Sequence, residues 1–281
     1  MGCHRSWADR SILKVLNTFG IESGGSPLAI SYRRSLALAA GALLALAPLT
    51  GCGASADDAR PEKRSFGPVG DRLTIVKDEG DLDVRPGDVD RVQVTRRFDR
   101  WAFIGGEPAA TWEFEGDRLT LATDCDTLVG GCEVRYEVLV PRNLPLSIEG
   151  DNGRISATGI STALRIRSTN GAISATGASG PLDLRTESGE LRSASTRSER
   201  VTATSQNGKV GLSFAHAPRQ VAVTTENGEV KVTVPRAAYK VTTSTENGDV
   251  HSGVPNEASA PRSITARSGS GAITLNTAAG D

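Results

Sequence analysis

The sequence predicts an all-β chain wound as a single-domain β-solenoid of about eight coils, taken as a right-handed β-helix and capped by an N-terminal hairpin insertion. Three observations carry this. Gly153, Gly171, Gly189, Gly208, Gly228, Gly248 and Gly271 recur at intervals of 18, 18, 19, 20, 20 and 23 residues. Seven places before each glycine stands Leu146, Leu164, Leu182, Val201, Val221, Val241 or Ile264, and two places after it Ile155, Ile173, Leu191, Val210, Val230, Val250 or Ile273. Between these points apolar and polar residues alternate, as in Val221-Ala222-Val223-Thr224-Thr225. A repeat near 20 residues marks stacked coils, and period two marks strands with one face turned inward.

Asn-Gly or Ser-Gly punctuates every copy, and both dipeptides turn a chain at little steric cost. They also suit two-residue hairpins, so a meander competes with a solenoid. The period favours the solenoid, because stacking places like on like about 4.8 Å apart. The seven glycines would then form a turn ladder. The hydroxyls Ser168, Thr186, Ser205, Thr225, Thr245 and Ser268 would form a second one. An eighth copy, Leu73, Ile75, Gly80, Leu82 and Val84, stands apart from the array of residues 146–275.

Ahead of the solenoid lies an address. Arg33-Arg34 precedes an apolar run from Leu36 to Leu49 that is short for a membrane span and suits a signal peptide. The run ends in Leu49-Thr50-Gly51-Cys52, which resembles the lipobox of bacterial lipoproteins, with Cys52 as the acylated residue; an ordinary signal peptide is the plainer alternative. Two acyl chains give stable anchoring. Ser31 to Leu36 resembles a twin-arginine signal, so export runs by that route or by Sec. Residues 1–52 are read as lipoprotein signal peptide with an N-terminal extension, 53–70 as a flexible tether, and 71–281 as the solenoid domain. The expected location is the outer face of the bacterial cytoplasmic membrane.

Residues 90–145 break the period and carry Trp101, Phe103, Trp112, Phe114 and Tyr136. A bulky hairpin layer would cover the open strand edge at the solenoid's end; the sharper alternative is an aromatic platform for a ligand. Cys125 and Cys132 flank six residues that include Gly130-Gly131. Outside the cytoplasm such a pair is read as a disulfide. Zinc would need two more ligands, and no histidine is near.

Charge and motifs then narrow the function. The first 52 residues hold five of the 32 basic and two of the 33 acidic residues, which leaves a net charge of −4 on the remainder. With no basic run, nucleic acid is not an expected partner. Only His216 and His251 follow residue 52, and no catalytic triad, His-Glu-x-x-His or phosphate-cradling loop is legible. No cofactor and no enzymatic activity are expected. Glu226, Glu229, Glu246 and Asp249 flank the turns of copies read as neighbours. They are chiefly solvated turn residues, with a weak cation site or a glycan-cleaving pair as alternatives.

Cys132 to Pro141 (Cys-Glu-Val-Arg-Tyr-Glu-Val-Leu-Val-Pro) and repeats such as Val223 to Val230 resemble the putative-adhesin domain family of bacterial envelope proteins over residues 72–276. That resemblance implies a β-solenoid in an extracytoplasmic setting and supplies no catalytic residues. The expected function is a lipid-anchored, non-catalytic adhesin-like binding or structural module. Its partners would be the membrane, through the anchor, and cell-wall polysaccharide or an envelope protein. Arg165, Arg192, Lys231, Thr242 and Thr265 would mark its outward columns. An accessory role in envelope-stress sensing and a polysaccharide-active β-helix enzyme are the alternatives.

The inside–outside assignment is testable by urea unfolding. Val230→Asp places an unpaired charge in the core and costs several kcal/mol, whereas Lys231→Asp, one residue on, changes stability by about 0.5 kcal/mol or less. Equal losses would mean that the assignment of inside and outside is wrong.

Overall fold

The computed structural model describes residues 55–278, all of them in strands, turns and loops. The segment before the array contains β1 (Pro61–Phe66), β2 (Leu73–Lys77), β3 (Asp81–Gly87), β4 (Val92–Gly105), β5 (Ala109–Glu115), β6 (Arg118–Asp124) and β7 (Thr127–Pro141). Seven two-strand coils follow. They are β8 (Leu146–Asn152) with β9 (Ile155–Thr158), β10 (Leu164–Asn170) with β11 (Ile173–Thr176), β12 (Leu182–Ser188) with β13 (Leu191–Thr196), and β14 (Arg200–Asn207) with β15 (Val210–Phe214). The last three are β16 (Gln220–Asn227) with β17 (Val230–Val234), β18 (Lys240–Asn247) with β19 (Val250–Ser252), and β20 (Ser263–Ser270) with β21 (Ile273–Thr277).

The first strand of each coil joins a ten-stranded sheet and the second an eleven-stranded sheet. Pairing between coils is parallel and in register: Leu146, Leu164, Leu182, Val201, Val221 and Ile264 stand side by side, as do Ile155, Ile173, Leu191, Val210, Val230 and Ile273. These aliphatic columns face one another between the sheets and form one continuous buried core. The β-solenoid expected from the repeat is the observed architecture.

Chain order and stacking order part company at both ends. Near the N-terminus, β2 and β3 lie between the β8–β9 coil and a coil made by β6 and β7. Residues 90–145 are therefore not simply a capping hairpin, since β6 and the second half of β7 form a rung of the solenoid. The antiparallel layer beyond that rung is β4 on β7 and β5 on β6, with β1 on β4. At the far end β20 pairs with both β16 and β18, so the last coil in sequence slots between its two predecessors. The segment of residues 253–262 that makes this detour is longer than its counterparts, and Val254 is buried along it. The 23-residue interval before Gly271 is its trace in the sequence.

The expected 53–70 tether is also not what forms. Ser55 N–H donates to Asp99 Oδ2 (2.8 Å), Ala56 is buried, Asp57 pairs with Arg135, and residues 61–66 are β1. Only Phe66 of β1 is buried, so backbone pairing with β4 and that one ring hold the stretch on an open edge. Phe66 then closes the end of the core, packing edge-on to Trp112 (6.1 Å) and against Phe114 (5.8 Å), while the Arg96 guanidinium lies 4.3 Å over the Trp112 ring.

The turn edge is held by glycine. A Cβ on Gly208 would fall 1.9 Å from the Gly189 carbonyl oxygen, on Gly228 2.0 Å from that of Gly208, and on Gly271 2.1 Å from that of Gly228. Each coil seats its turn in the space where the next would carry a side chain. Beside this column runs the hydroxyl column. Ser268 Oγ donates to the Gly228 carbonyl (3.1 Å), Thr245 Oγ1 to Gly271 (3.0 Å) and Thr186 Oγ1 to Gly171 (3.3 Å). Ser168 Oγ and Ser205 Oγ are buried with no hydrogen-bond partner among the described residues, so the ladder is only partly satisfied.

Lys77 occupies the hydroxyl position of the β2 rung, next to Gly150 and in line with Ser168. It is 2% exposed, and its ammonium donates to the carbonyls of Gly80 (2.7 Å) and Asn152. Burial lowers its pKa below the ordinary lysine value, against the opposing pull of Asp81, Glu79, Asp78 and Asp151. The folded chain thus releases this proton at lower pH than the unfolded chain does. Stability from this site rises with pH as pH climbs through the folded pKa toward 10.5. Thermal melts of the wild type and Lys77→Met between pH 8 and 10 are expected to show that upward slope in their difference; a flat difference would mean that Lys77 titrates as in water.

Candidate functional site: an arginine-rimmed groove

The outward residues of the ten-stranded sheet follow from the same alternation that buries the aliphatic columns. Along β8, β10, β12 and β14 they form rows running with the coil axis: Ser147, Arg165, Asp183, Thr202, then Glu149, Arg167, Arg185, Thr204. An open groove of about 600 Å³ crosses these rungs where the chain enters each strand. Its floor is Pro145, Ala163 and Pro181 with the first strand residues Leu146, Leu164 and Leu182. The carbonyls of Pro145, Ala163 and Pro181 accept the amides of Leu73, Leu146 and Leu164 (3.0, 2.9 and 2.9 Å), so the floor is a continuation of the sheet and as fixed as the sheet.

The rim is cationic. Arg72, Arg165, Arg185 and Arg200 line the groove, with Asp183 among them. Asp183 accepts from Arg165 Nε (3.1 Å) and from Arg185 Nε (3.2 Å), so one carboxylate steadies two guanidinium groups. Both arginines stay about half exposed, at 55% and 51% of the side chain. Arg167 stands in register beside Arg185 and has no ion-pair partner among the described residues, as is true of Arg200. Like charges side by side on adjacent strands are unfavourable unless something neutralises them. Arg167 and Arg185 also line a second, smaller groove of about 350 Å³, where Glu149, Asp151 and Glu187 accompany them, so Arg185 is shared by both depressions. Guanidinium forks on a fixed floor suit bidentate contacts to carboxylate or phosphate oxygens.

The residues singled out in the sequence fall as follows. Cys125 and Cys132 are joined by a disulfide. Cys52 lies outside the described residues. The glycine ladder runs along one edge, and Gly80 extends it by one rung. The four carboxylates do not converge, because the β20 rung separates Glu226 from Glu246 and Gly269 fills the intervening position. Glu229 instead lies 3.8 Å from Lys209, and no group of three or more metal-ligating side chains is present among the described residues. Adjacency in sequence suggested a ridge that the exchanged coil order removes. The outward columns divide as well: Arg165, Thr242 and Thr265 lie on the ten-stranded sheet, Arg192 and Lys231 on the eleven-stranded one. Of the aromatic platform, Trp112 and Phe114 pack against the core and Tyr136 is fully buried, its hydroxyl 3.2 Å from Thr123 Oγ1.

Arg167, Arg185 and Arg200 were not singled out by the sequence. Spacing alone gives Arg167 and Arg185 the same repeat position 18 residues apart, and that coincidence was the available signal.

Residues 143–281 match the Toastrack DUF4097 family. The sequence matches no curated protein. Among solved structures, the chain is similar to a putative lipid binding protein from Parabacteroides distasonis ATCC 8503 at 12% identity and a TM-score of 0.49, over 78% of this chain and 97% of that one. It is similar to a putative adhesin from Bacteroides fragilis NCTC 9343 at 12% identity and a TM-score of 0.43, over 77% and 97%. A putative cell adhesion protein from Clostridium sporogenes ATCC 15579 gives 14% identity and a TM-score of 0.34, over 78% and 99%.

Proposed function

From the premise that this chain carries a Toastrack DUF4097 domain over residues 143–281, we propose that it is a non-catalytic binding module of the cell envelope. Anchored through Cys52 on the outer face of the membrane, it holds an anionic envelope polymer along the outer face of its ten-stranded sheet. The observation that carries this reading is the groove itself: Arg72, Arg165, Arg185 and Arg200 rim it above a floor hydrogen-bonded into the sheet, and Arg185 stands in register beside Arg167 at its edge. A rod of stacked coils repeats its surface every rung, about 4.8 Å, so it matches a linear ligand with a repeating charge better than a compact one. Polymer phosphates or carboxylates would satisfy Arg200 and Arg167, neither of which has an ion pair among the described residues, although Glu149 stands beside Arg167 on the adjoining rung. The alternatives of a stress-sensing accessory and a glycan-cleaving enzyme draw no comparable support, the second because its carboxylates stand on separated rungs.

Retention on immobilised poly(glycerol phosphate) and on a neutral glycan tests this. The wild type is expected to bind the phosphate polymer and to lose binding as salt rises, since exposed charges are screened beyond about 8 Å at physiological ionic strength. Arg167→Gln with Arg185→Gln weakens retention roughly tenfold or more, equivalent to about 1.4 kcal/mol, while circular dichroism shows the fold retained. Equal retention of wild type and double variant, or preference for the neutral glycan, overturns the groove as the site.

A further inference from the structure

The far ends of β4 and β7 leave the body of the eleven-stranded sheet. β1 pairs with β4 only as far as Arg97, and β3 pairs with β7 only from Arg135 onward. Beyond these points residues 98–105 and 127–134 pair only with each other, as a two-stranded ribbon. The Cys125–Cys132 disulfide staples the chain that enters it. Five large apolar side chains stand exposed among the described residues, and four of them are on this ribbon: Leu128 (83%), Ile104 (58%), Val129 (45%) and Trp101 (38%). Ile104 and Val129 are cross-strand partners, and the Trp101 indole lies against Gly131, whose missing side chain leaves it room. A stapled, glycine-backed ribbon holds these groups outward at a fixed place instead of letting them fold onto the core.

The direction of the chain ahead of β1 supplies the occupant. Ser55 is fastened to Asp99 and Asp57 to Arg135, both at the root of the ribbon, and Asp99 is two residues from Trp101. Cys52 lies three residues before Ser55 and so within about 10 Å of it by covalent reach. At about 3.3 Å per strand residue, Ile104 is about 17 Å along the ribbon from Asp99. That reach is enough for an acyl group on Cys52 and the apolar ribbon to meet one plane. We infer that the ribbon is a second membrane contact: its apolar tip enters the lipid interface beside the anchor, with Trp101 at headgroup depth, and this fixes the domain on the bilayer by the end that carries β4 and β7. Indole rings favour that depth, and two attachments hold an orientation that one flexible link cannot. The inference rests on the anchoring of Cys52 in the preceding reading, and it adds a contact that lipidation does not require. Acidic residues near the tip, Asp124, Asp126 and Glu133, favour an apolar insertion over an electrostatic one.

The test uses the full chain, expressed, processed and reconstituted into vesicles of phosphatidylcholine with a minority of phosphatidylglycerol. Trp112→Phe leaves Trp101 as the sole reporter outside the first 52 residues. Brominated acyl chains are expected to quench Trp101 about twofold, and Leu128→Asp with Ile104→Asp to abolish that quenching while the protein stays with the membrane. Mass spectrometry of the N-terminal fragment reads the acyl group independently. An acylated protein with unquenched Trp101 overturns the ribbon contact and leaves the anchor standing, and so does quenching that survives the double aspartate variant. Unquenched Trp101 together with a ribbon-dependent dimer makes the patch a face for a second copy. Absence of any acyl group on Cys52 removes the anchor and the inference with it.

Discussion

Every coil of this protein is spaced by a carbonyl oxygen that occupies the site of a missing Cβ. At Gly171, Gly208, Gly228 and Gly271 the neighbouring glycine's oxygen would lie between 1.9 and 2.1 Å from a side-chain carbon, far inside any tolerable contact. The constraint explains the repeat better than turn propensity does. A turn alone would accept asparagine or aspartate at many of these positions, whereas the stack accepts only hydrogen. The same close approach lets the hydroxyl column reach the carbonyls of the adjoining rung, as Ser268 does with Gly228. It also sets the register that brings Leu over Leu and Ile over Ile. The Arg167–Arg185 pair on the outer face is a by-product of that register, since a residue can repeat in space only if its coil repeats.

A stack of this kind has two ends, and each presents unpaired backbone. Both ends are finished by departing from chain order. At one, β2 and β3 are inserted beneath a rung built from β6 and β7, and antiparallel strands and the Phe66–Trp112–Phe114 cluster lie over it. At the other, the last coil in sequence is tucked inside and the β18–β19 coil is left outermost, with Val250 partly exposed. Asn256 Oδ1 accepts the Val241 amide there, and Tyr239 is buried with its hydroxyl on the Pro235 carbonyl. The end that carries the stapled ribbon is also the end where Ser55 and Asp57, ahead of β1, are fastened.

The sequence made the interior of the array legible, because a core two side chains deep leaves one aliphatic position after another with no freedom. Leu73 to Val84 could be placed in the solenoid for the same reason. What periodicity could not reveal was which rung lies next to which. Pairing partners are chosen by end effects and loop length, and these leave only faint marks such as the long segment between Ser252 and Ser263. The acidic ridge of Glu226 and Glu246 dissolved on that point alone. Lys77 was equally hidden: a charged residue becomes an interior plug only because Gly150 on the next rung gives it room, with Lys77 carbons 3.1 and 3.3 Å from where a side chain would begin. Residues 61–66, read as tether, became a strand because an open edge was waiting for them.

The glycine column is the claim on which the rest depends, and two alanine substitutions three residues apart isolate it. Neither Gly208 nor Gly211 adopts a left-handed backbone, so steric contact is the only difference between them; a Cβ on Gly208 would meet the Gly189 oxygen at 1.9 Å, one on Gly211 nothing nearer than 4.0 Å. Equilibrium urea unfolding is expected to show Gly208→Ala less stable by about 3 kcal/mol or more and Gly211→Ala unchanged within about 0.5 kcal/mol. Comparable stability of the two variants would contradict the account, because the coils would then be spaced by something other than the absent side chain.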